Sequence, residues 1–291
     1  MVDVGELRRL VRGPVRLSES LGPFSALGVG GSADIYLEPA RREDLLATLQ
    51  YLTRRSVPVI LVRRRANFLA SDDGFRGAAV NVETALGGVT AEGTLVRAEA
   101  GVPLARLVDV AVARSLGGLE ALAGEPGTVG GALVRGVPLL RSMLQSAEIF
   151  DGERERTAGP DELQSSTLLL AATLRLAEVP AEELMRARRE QLLERNRRTP
   201  LNLPNGTVAF RDPDGASAAR LIEEAGLSGM RHGGAMLSER HANVVLNTGR
   251  ATAADVAALL RTVQRTVAQK LHRRLELQTA LVGFRRELSA A

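Results

Sequence analysis

Three consecutive arginines, Arg63, Arg64 and Arg65, followed by Ala66 and Asn67, make a polar corner behind the apolar run Val59–Val62. A strand ending in such a corner is where many folds offer backbone N–H groups to a phosphate, provided glycines let the chain come close. No glycine stands here, so the chemistry open to the corner is that of guanidinium groups, which bind phosphate oxygens or remain solvated. A second stretch with binding potential is GLEALAGEPGTVGGA, residues 118–132, which holds five glycines and one proline in fifteen residues. So many permissive positions fit a loop laid against a ligand, and fit equally a connecting loop packed on another backbone. The basic run RNRR at residues 195–198 closes a charged helical stretch, and the helix macrodipole accounts for it without a ligand.

Other reactive groups are sparse. His232, His241 and His272 are scattered, with no carboxylate at metal-ligand spacing, and His241 is expected to hydrogen-bond within its own domain. Glu223 and Glu224 read as the solvated face of a helix. The absence of cysteine excludes disulfides, thiolate metal sites and cysteine nucleophiles together. The net charge of +4 comes from 38 Lys+Arg against 34 Asp+Glu. The high isoelectric point therefore reflects arginines that do not titrate, and it argues little for nucleic acid. Aromatic residues make up 3%, without tryptophan, so stacking platforms for single strands are not expected. No stretch approaches the roughly 20 apolar residues of a membrane span, and the start lacks a continuous apolar core. A soluble, cytoplasmic protein is the expectation.

The elements that must carry these residues follow from periodicity. A glycine-rich turn precedes an alternating strand within residues 25–39, apolar spacing at Leu45, Leu46, Leu49 and Leu52 predicts a helix over 42–55, and Pro58 opens the strand before the arginines. That is a β-α-β order. Further strands are predicted over 77–82 and 94–100, a helix over 103–115, a hairpin from 147–150 and 154–157, and a strand over 167–176. A charged helix covers 182–198. Beyond it come a helix over 217–225, a turn-rich link over 226–234, a strand over 242–247, a long amphipathic helix over 252–270 with Thr252 as cap, and a final strand over 275–282.

Four segments, in collinear order over residues 25–283, carry a resemblance: LGVGGSADIYLEP, the strand and loop ending SDDGFRG, GLEALAGEPGTVGGA, and SAARLIEEAGLSGMRHGGAMLSERHANVVLNTGRATAADV. Together they resemble the UDP-N-acetylenolpyruvoylglucosamine reductases (UDP-N-acetylmuramate dehydrogenases) of peptidoglycan synthesis. The resemblance implies an α+β chain with a two-lobed FAD-binding domain of the vanillyl-alcohol-oxidase (PCMH) type and a C-terminal α/β substrate-binding domain. It places an N-terminal extension at 1–22, the flavin-type domain at 23–178 with lobes near 23–82 and 83–178, a linking helix at 179–199 and the substrate domain at 200–287. In that family FAD takes a hydride from NADPH and passes it to the enolpyruvyl double bond of a UDP-sugar, and an acid protonates the carbanion equivalent.

Carried over residue by residue, the resemblance implies departures. The family's diphosphate loop, a glycine triplet followed by Ser-Asn, falls on Arg63, Arg64, Arg65, Ala66 and Asn67, so only Asn67 survives. Gly127, Thr128, Val129 and Gly131 hold the cofactor positions of the second glycine loop, and Arg135, Gly136, Val137 and Pro138 replace a polar Gln-Asn-Ala-Gly stretch. The proton-donor motif P-x-A-G-S-x-F-K-N-P falls on PNGTVAFRDP, residues 204–213. It puts Val208 at the catalytic Ser (Cys) position with Thr207 beside it, and Arg211 and Asp212 at the Lys and Asn positions. Gln278 stands at the catalytic Glu, and the Gly-Tyr-Arg segment is deleted around residues 163–166. Arg220 and Asn243 are the remaining candidate substrate contacts.

The expectation is a protein that keeps the architecture without the reaction. It takes up neither FAD nor NADPH and acts as a binding or scaffolding homologue, with a cell-wall synthesis protein or a UDP-sugar as partner. The alternative is a working FAD- and NADPH-dependent dehydrogenase with an altered site.

Overall fold

The computed structural model describes residues 2–164, 167–198, 206–213 and 215–284. It forms two compact units, one from Met1–Arg16, Ile35–Arg63 and Gly77–Arg195, the other from Leu17–Asp34, Arg64–Arg76 and Asn196–Ala291. Strands and helices are mixed in both, which is the α+β class expected.

In the first unit the predicted helix is Arg42–Arg54, with Glu43 and Asp44 in its first turn and Leu45, Leu49 and Leu52 buried. Acidic residues suit the positive end of the macrodipole. The strand Val59–Val62 pairs in parallel with Phe75–Asn81, Val59 opposite Ala78 and Val62 opposite Asn81. The predicted hairpin is Leu144–Phe150 with Glu155–Ala158. It forms one side of an antiparallel five-stranded sheet in the order Glu155–Ala158, Leu144–Phe150, Leu168–Arg175, Leu95–Glu99, Val89–Glu92. Leu104–Ala113 buries Leu104, Leu107, Val108 and Ala111 in the same core. The amphipathic start is ordered as the helix Val4–Leu10, capped by Asp3.

A charged cluster ties the helix to the sheet. Arg42 donates to Glu99 at 3.3 Å and also to Glu148 and Glu155. Arg97 makes a forked contact to Glu148 at 2.6 and 2.7 Å. The Arg97 hydrogen bonds hold the Glu148 carboxyl below its ordinary range, against the raising effect of burial.

The second unit carries the antiparallel sheet Gly206–Val208, Val244–Asn247, Ala235–Leu237, Arg231–His232. Its last strand lies inside the stretch expected to be only a turn-rich link. The amphipathic helix is Ala253–Leu271, burying Val256, Leu259, Leu260, Val263 and Val267. Thr252 and Asp255 form a capping box there, and Asp72 adds a second cap from the SDDGFRG segment. Its two carboxylate oxygens accept from the N–H groups of Ala253 and Ala254, both at 2.9 Å. The final strand is shorter than expected. Ala280–Val282 pairs in parallel with Phe68–Ala70, while Leu277 makes only an isolated bridge to Phe210. The segment's earlier backbone groups go instead to residues 209 and 211, a long-range pairing that periodicity does not reveal. Two glycines of the shared segments are fixed by crossing backbones. A Cβ on Gly74, whose φ is +84°, would lie 2.2 Å from the Ser32 carbonyl, and one on Gly31 would lie 2.6 Å from the Gly74 nitrogen. Among the described residues no helix is long and apolar enough to cross a membrane.

Two outcomes test this frame. Asp72→Ala is expected to lower the unfolding free energy by about 1 kcal/mol in urea titrations, since it removes one of the two caps of a long helix. A carboxyl whose folded pKa is depressed contributes stability above its unfolded value and loses it as pH falls through the folded one. Glu148→Gln is therefore expected to be less stable at neutral pH, and to lose less stability than the unaltered chain on acidification from about pH 5 to pH 3.

Candidate functional site

In the second unit the segment carrying Val208 is held on both sides by backbone pairing. On one side Thr207 lies opposite Val245, and the Ala209 N–H donates to the Asn243 carbonyl at 2.9 Å. On the other, the Gln278 N–H donates to the Ala209 carbonyl at 2.8 Å and the Arg211 N–H to the Glu276 carbonyl at 2.9 Å. The Val208 carbonyl is the meeting point, accepting from the Thr279 hydroxyl at 3.2 Å and from the Asn67 side-chain amide at 3.4 Å. The Asn67 carbonyl in turn accepts from Ala280 N–H at 3.3 Å. Three positions remote in sequence, Asn67, Val208 and Gln278, thus share one knot. Neither the Val208 isopropyl nor the Gln278 amide can exchange a proton near neutral pH. Thr207, 8% exposed, precedes Val208 in the strand, so its hydroxyl leaves by the opposite face.

The neighbouring candidates serve the frame. Asn243, 3% exposed, uses both ends of its amide on Phe210, accepting from its N–H at 2.9 Å and donating to its carbonyl at 2.8 Å. Asp212 accepts from the Ala218 N–H at 2.8 Å, at the start of the helix Ala218–Glu224. Its carboxylate therefore has a local role as well as a charge that repels anions. Arg211 and Arg220 are exposed, as are Glu223 and Glu224. His241 hydrogen-bonds within its own unit through its backbone. Its backbone N–H donates to the Ser238 hydroxyl at 3.3 Å and its carbonyl accepts from Val244, but its buried Nδ1 has no hydrogen-bond partner among the described residues. The described residues contain no cluster of potential metal ligands. Residues 204 and 205 of the donor motif and 165 and 166 of the deleted stretch lie outside the described residues.

The arginine corner divides between the units, Arg63 in the first and Arg64 to Asn67 in the second. Of its three guanidinium groups only that of Arg63 belongs to a residue drawn in from solvent. Arg64 and Arg65 are exposed, and Arg65 sits in the left-handed region at φ +57°. That conformation costs a non-glycine residue about 1 kcal/mol. Arg63 is half-buried, and its Nε is shielded from solvent with no hydrogen-bond partner among the described residues. Burial pulls its pKa down, and the field of Glu83 opposes that shift.

The second glycine loop, in the first unit, is built on backbone contacts. The Leu104 N–H donates to the Gly127 carbonyl at 3.1 Å, and Val129 and Gly130 donate to Val102 and Ala100, both at 3.0 Å. Thr128 caps the short helix Val129–Val134 by accepting from the Gly131 N–H at 3.1 Å, and the Val129 side chain is fully buried. A Cβ on Gly130 would lie 2.7 Å from that of Ala100, so here the close approach is to another backbone. Gly127 and Gly131 face a side chain. A Cβ on them would lie 3.3 and 3.5 Å from guanidinium nitrogens of Arg135. The residues present do not fit a flavin dinucleotide: the glycines that would let its diphosphate approach are absent at the corner and covered at the loop. The cover was missed in sequence, where Arg135 counted only as part of a replaced stretch. Its spacing of four from Gly131 was the available signal.

Residues 199–282 match the family model for the C-terminal domain of UDP-N-acetylenolpyruvoylglucosamine reductase, and residues 33–147 match that of an FAD binding domain. The chain is 37% identical over 308 residues to the UDP-N-acetylenolpyruvoylglucosamine reductase of Chloroherpeton thalassium, covering 98% of both chains. It is 37% identical over 296 residues to the enzyme of that name from Moorella thermoacetica, covering 96% of this chain and 97% of the relative. The crystal structure of UDP-N-acetylenolpyruvylglucosamine reductase from Thermus caldophilus superposes with a TM-score of 0.74 at 29% identity, covering 93% of this chain and 99% of that one.

A half-buried cation lacking a partner at Nε is an energetic liability. Arg63→Met is accordingly expected to leave stability unchanged or to raise it by about 1 kcal/mol, read from urea unfolding midpoints.

Proposed function

The chain belongs to the UDP-N-acetylenolpyruvoylglucosamine reductase family, and from that premise we propose that it keeps the family's frame without carrying out the reduction. It serves as a binding or scaffolding homologue in the cytoplasmic steps of peptidoglycan synthesis, with a UDP-sugar or a cell-wall synthesis protein as its partner. On this reading residues 23–178 are a flavin-type domain without flavin, in which Asn67, Gly127, Thr128, Val129 and Gly131 are vestiges of a cofactor site. Residues 200–287 are the substrate-type domain, with Arg211, Asp212, Arg220 and Asn243 about its former substrate site.

The observation that carries the reading is the knot at Val208. The positions to which the resemblance assigns proton delivery hold valine and glutamine, and the backbone bond from Gln278 to Ala209, next to Val208, supports reading them as one site. Loss of one such group costs about a hundredfold to ten-thousandfold in rate, and here two roles are lost at one place. The covered glycine loop supports the same reading from the other unit. Full-length identity to reductases favours the second reading, a working dehydrogenase with an altered site. On that reading the Thr207 hydroxyl would have to serve as the acid, from the buried face of its strand.

The test is direct. The purified protein is expected to be colourless, to stay so after incubation with FAD and desalting, and to oxidise no NADPH when UDP-N-acetylenolpyruvoylglucosamine is added. Substrate-dependent NADPH oxidation would establish the working dehydrogenase instead.

A further inference from the structure

We propose that Arg135 is the resident occupant of the glycine loop at residues 127–131, so that this chain closes with its own side chain the face where a dinucleotide would lie. The inference deepens the reading above and rests on it.

The loop is shaped from one side only. Backbone hydrogen bonds to Leu104, Val102 and Ala100 fix its inner edge, and the Thr128 hydroxyl fixes its turn into the helix. Gly127 adopts φ +123°, a conformation that L side chains rarely take, so its glycine is required by the backbone alone. The other edge, over Gly127 and Gly131, is where the guanidinium of Arg135 lies. Ideal Cβ atoms on the two glycines would be 3.3 and 3.5 Å from its terminal nitrogens. Helix geometry explains the placement. Arg135 is the C-cap of Val129–Val134, and a helical side chain leans back over the preceding turn, so position 135 covers position 131.

A flat, permanently charged guanidinium resting on two glycines excludes a ligand there in two ways. It fills the space that the missing side chains leave open, and moving it aside means extracting a half-buried cation from its packing. The loop is then an internal contact, complete without cofactor. In this reading Gly127 persists because its φ of +123° requires glycine, and Arg135 rests in contact with it and with Gly131. They are not evidence of a flavin.

Hydrogen–deuterium exchange on the full chain tests this, comparing wild type, Arg135→Ala and Arg135→Lys with and without FAD. Amides of residues 127–132 should be protected in the wild type to the same extent with and without FAD. They should exchange about tenfold faster in Arg135→Ala, while residues 168–175 in the sheet centre stay unchanged. Arg135→Lys keeps the charge without the planar fork and should be intermediate; it supplies the comparison if the alanine variant does not fold. Equal exchange of residues 127–132 in the wild type and whichever variant folds overturns the proposal, as does added protection of the wild-type loop by FAD. A protein that shows no NADPH oxidation but whose variants exchange like the wild type loses this inference alone. A protein that oxidises NADPH loses the functional reading whatever the loop does.

Discussion

The double-sided pairing of residues 206–211 constrains everything the second unit can do. One side of the segment is bound to the strand Val244–Asn247 and the other to residues 276–279, so its inner amides and carbonyls are spent on the frame. Backbone groups committed in this way cannot also serve a substrate. Whatever chemistry occurs there must come from side chains, and those that meet at the Val208 carbonyl are the Thr279 hydroxyl and the Asn67 amide.

The same separation of frame from chemistry runs through the first unit. Arg42 and Arg97 join Glu99, Glu148 and Glu155 in a shared charged cluster that ties a helix to the five-stranded sheet. Leu104, Leu107 and Leu133 fill the core beneath the glycine loop. Packing and backbone crossing constrain far more residues than catalysis does. Family membership and loss of activity are therefore compatible in one chain.

Much of the fold was legible because it is written locally. Leu45, Leu49 and Leu52 announce their helix by spacing, the hairpin shows in the two short runs at 147–150 and 154–157, and Thr252 announces the start of a long helix. The family segments were legible for steric reasons: Gly31 and Gly74 must be glycine because backbones cross there at distances no Cβ tolerates. The shortness of the last strand and the strand Arg231–His232 were not legible, because each depends on which remote backbone supplies the hydrogen bonds.

What the sequence by itself determined was the class of the fold and the family. Only the tertiary structure decided what individual residues do. Of three adjacent arginines it desolvates Arg63 and leaves Arg64 and Arg65 in water, and it commits Asn243 to the backbone of Phe210. It also lays Arg135 across Gly127 and Gly131. The reason is physical: periodicity and turn chemistry act over a few residues, whereas burial and charge compensation are set by neighbours that folding alone brings near.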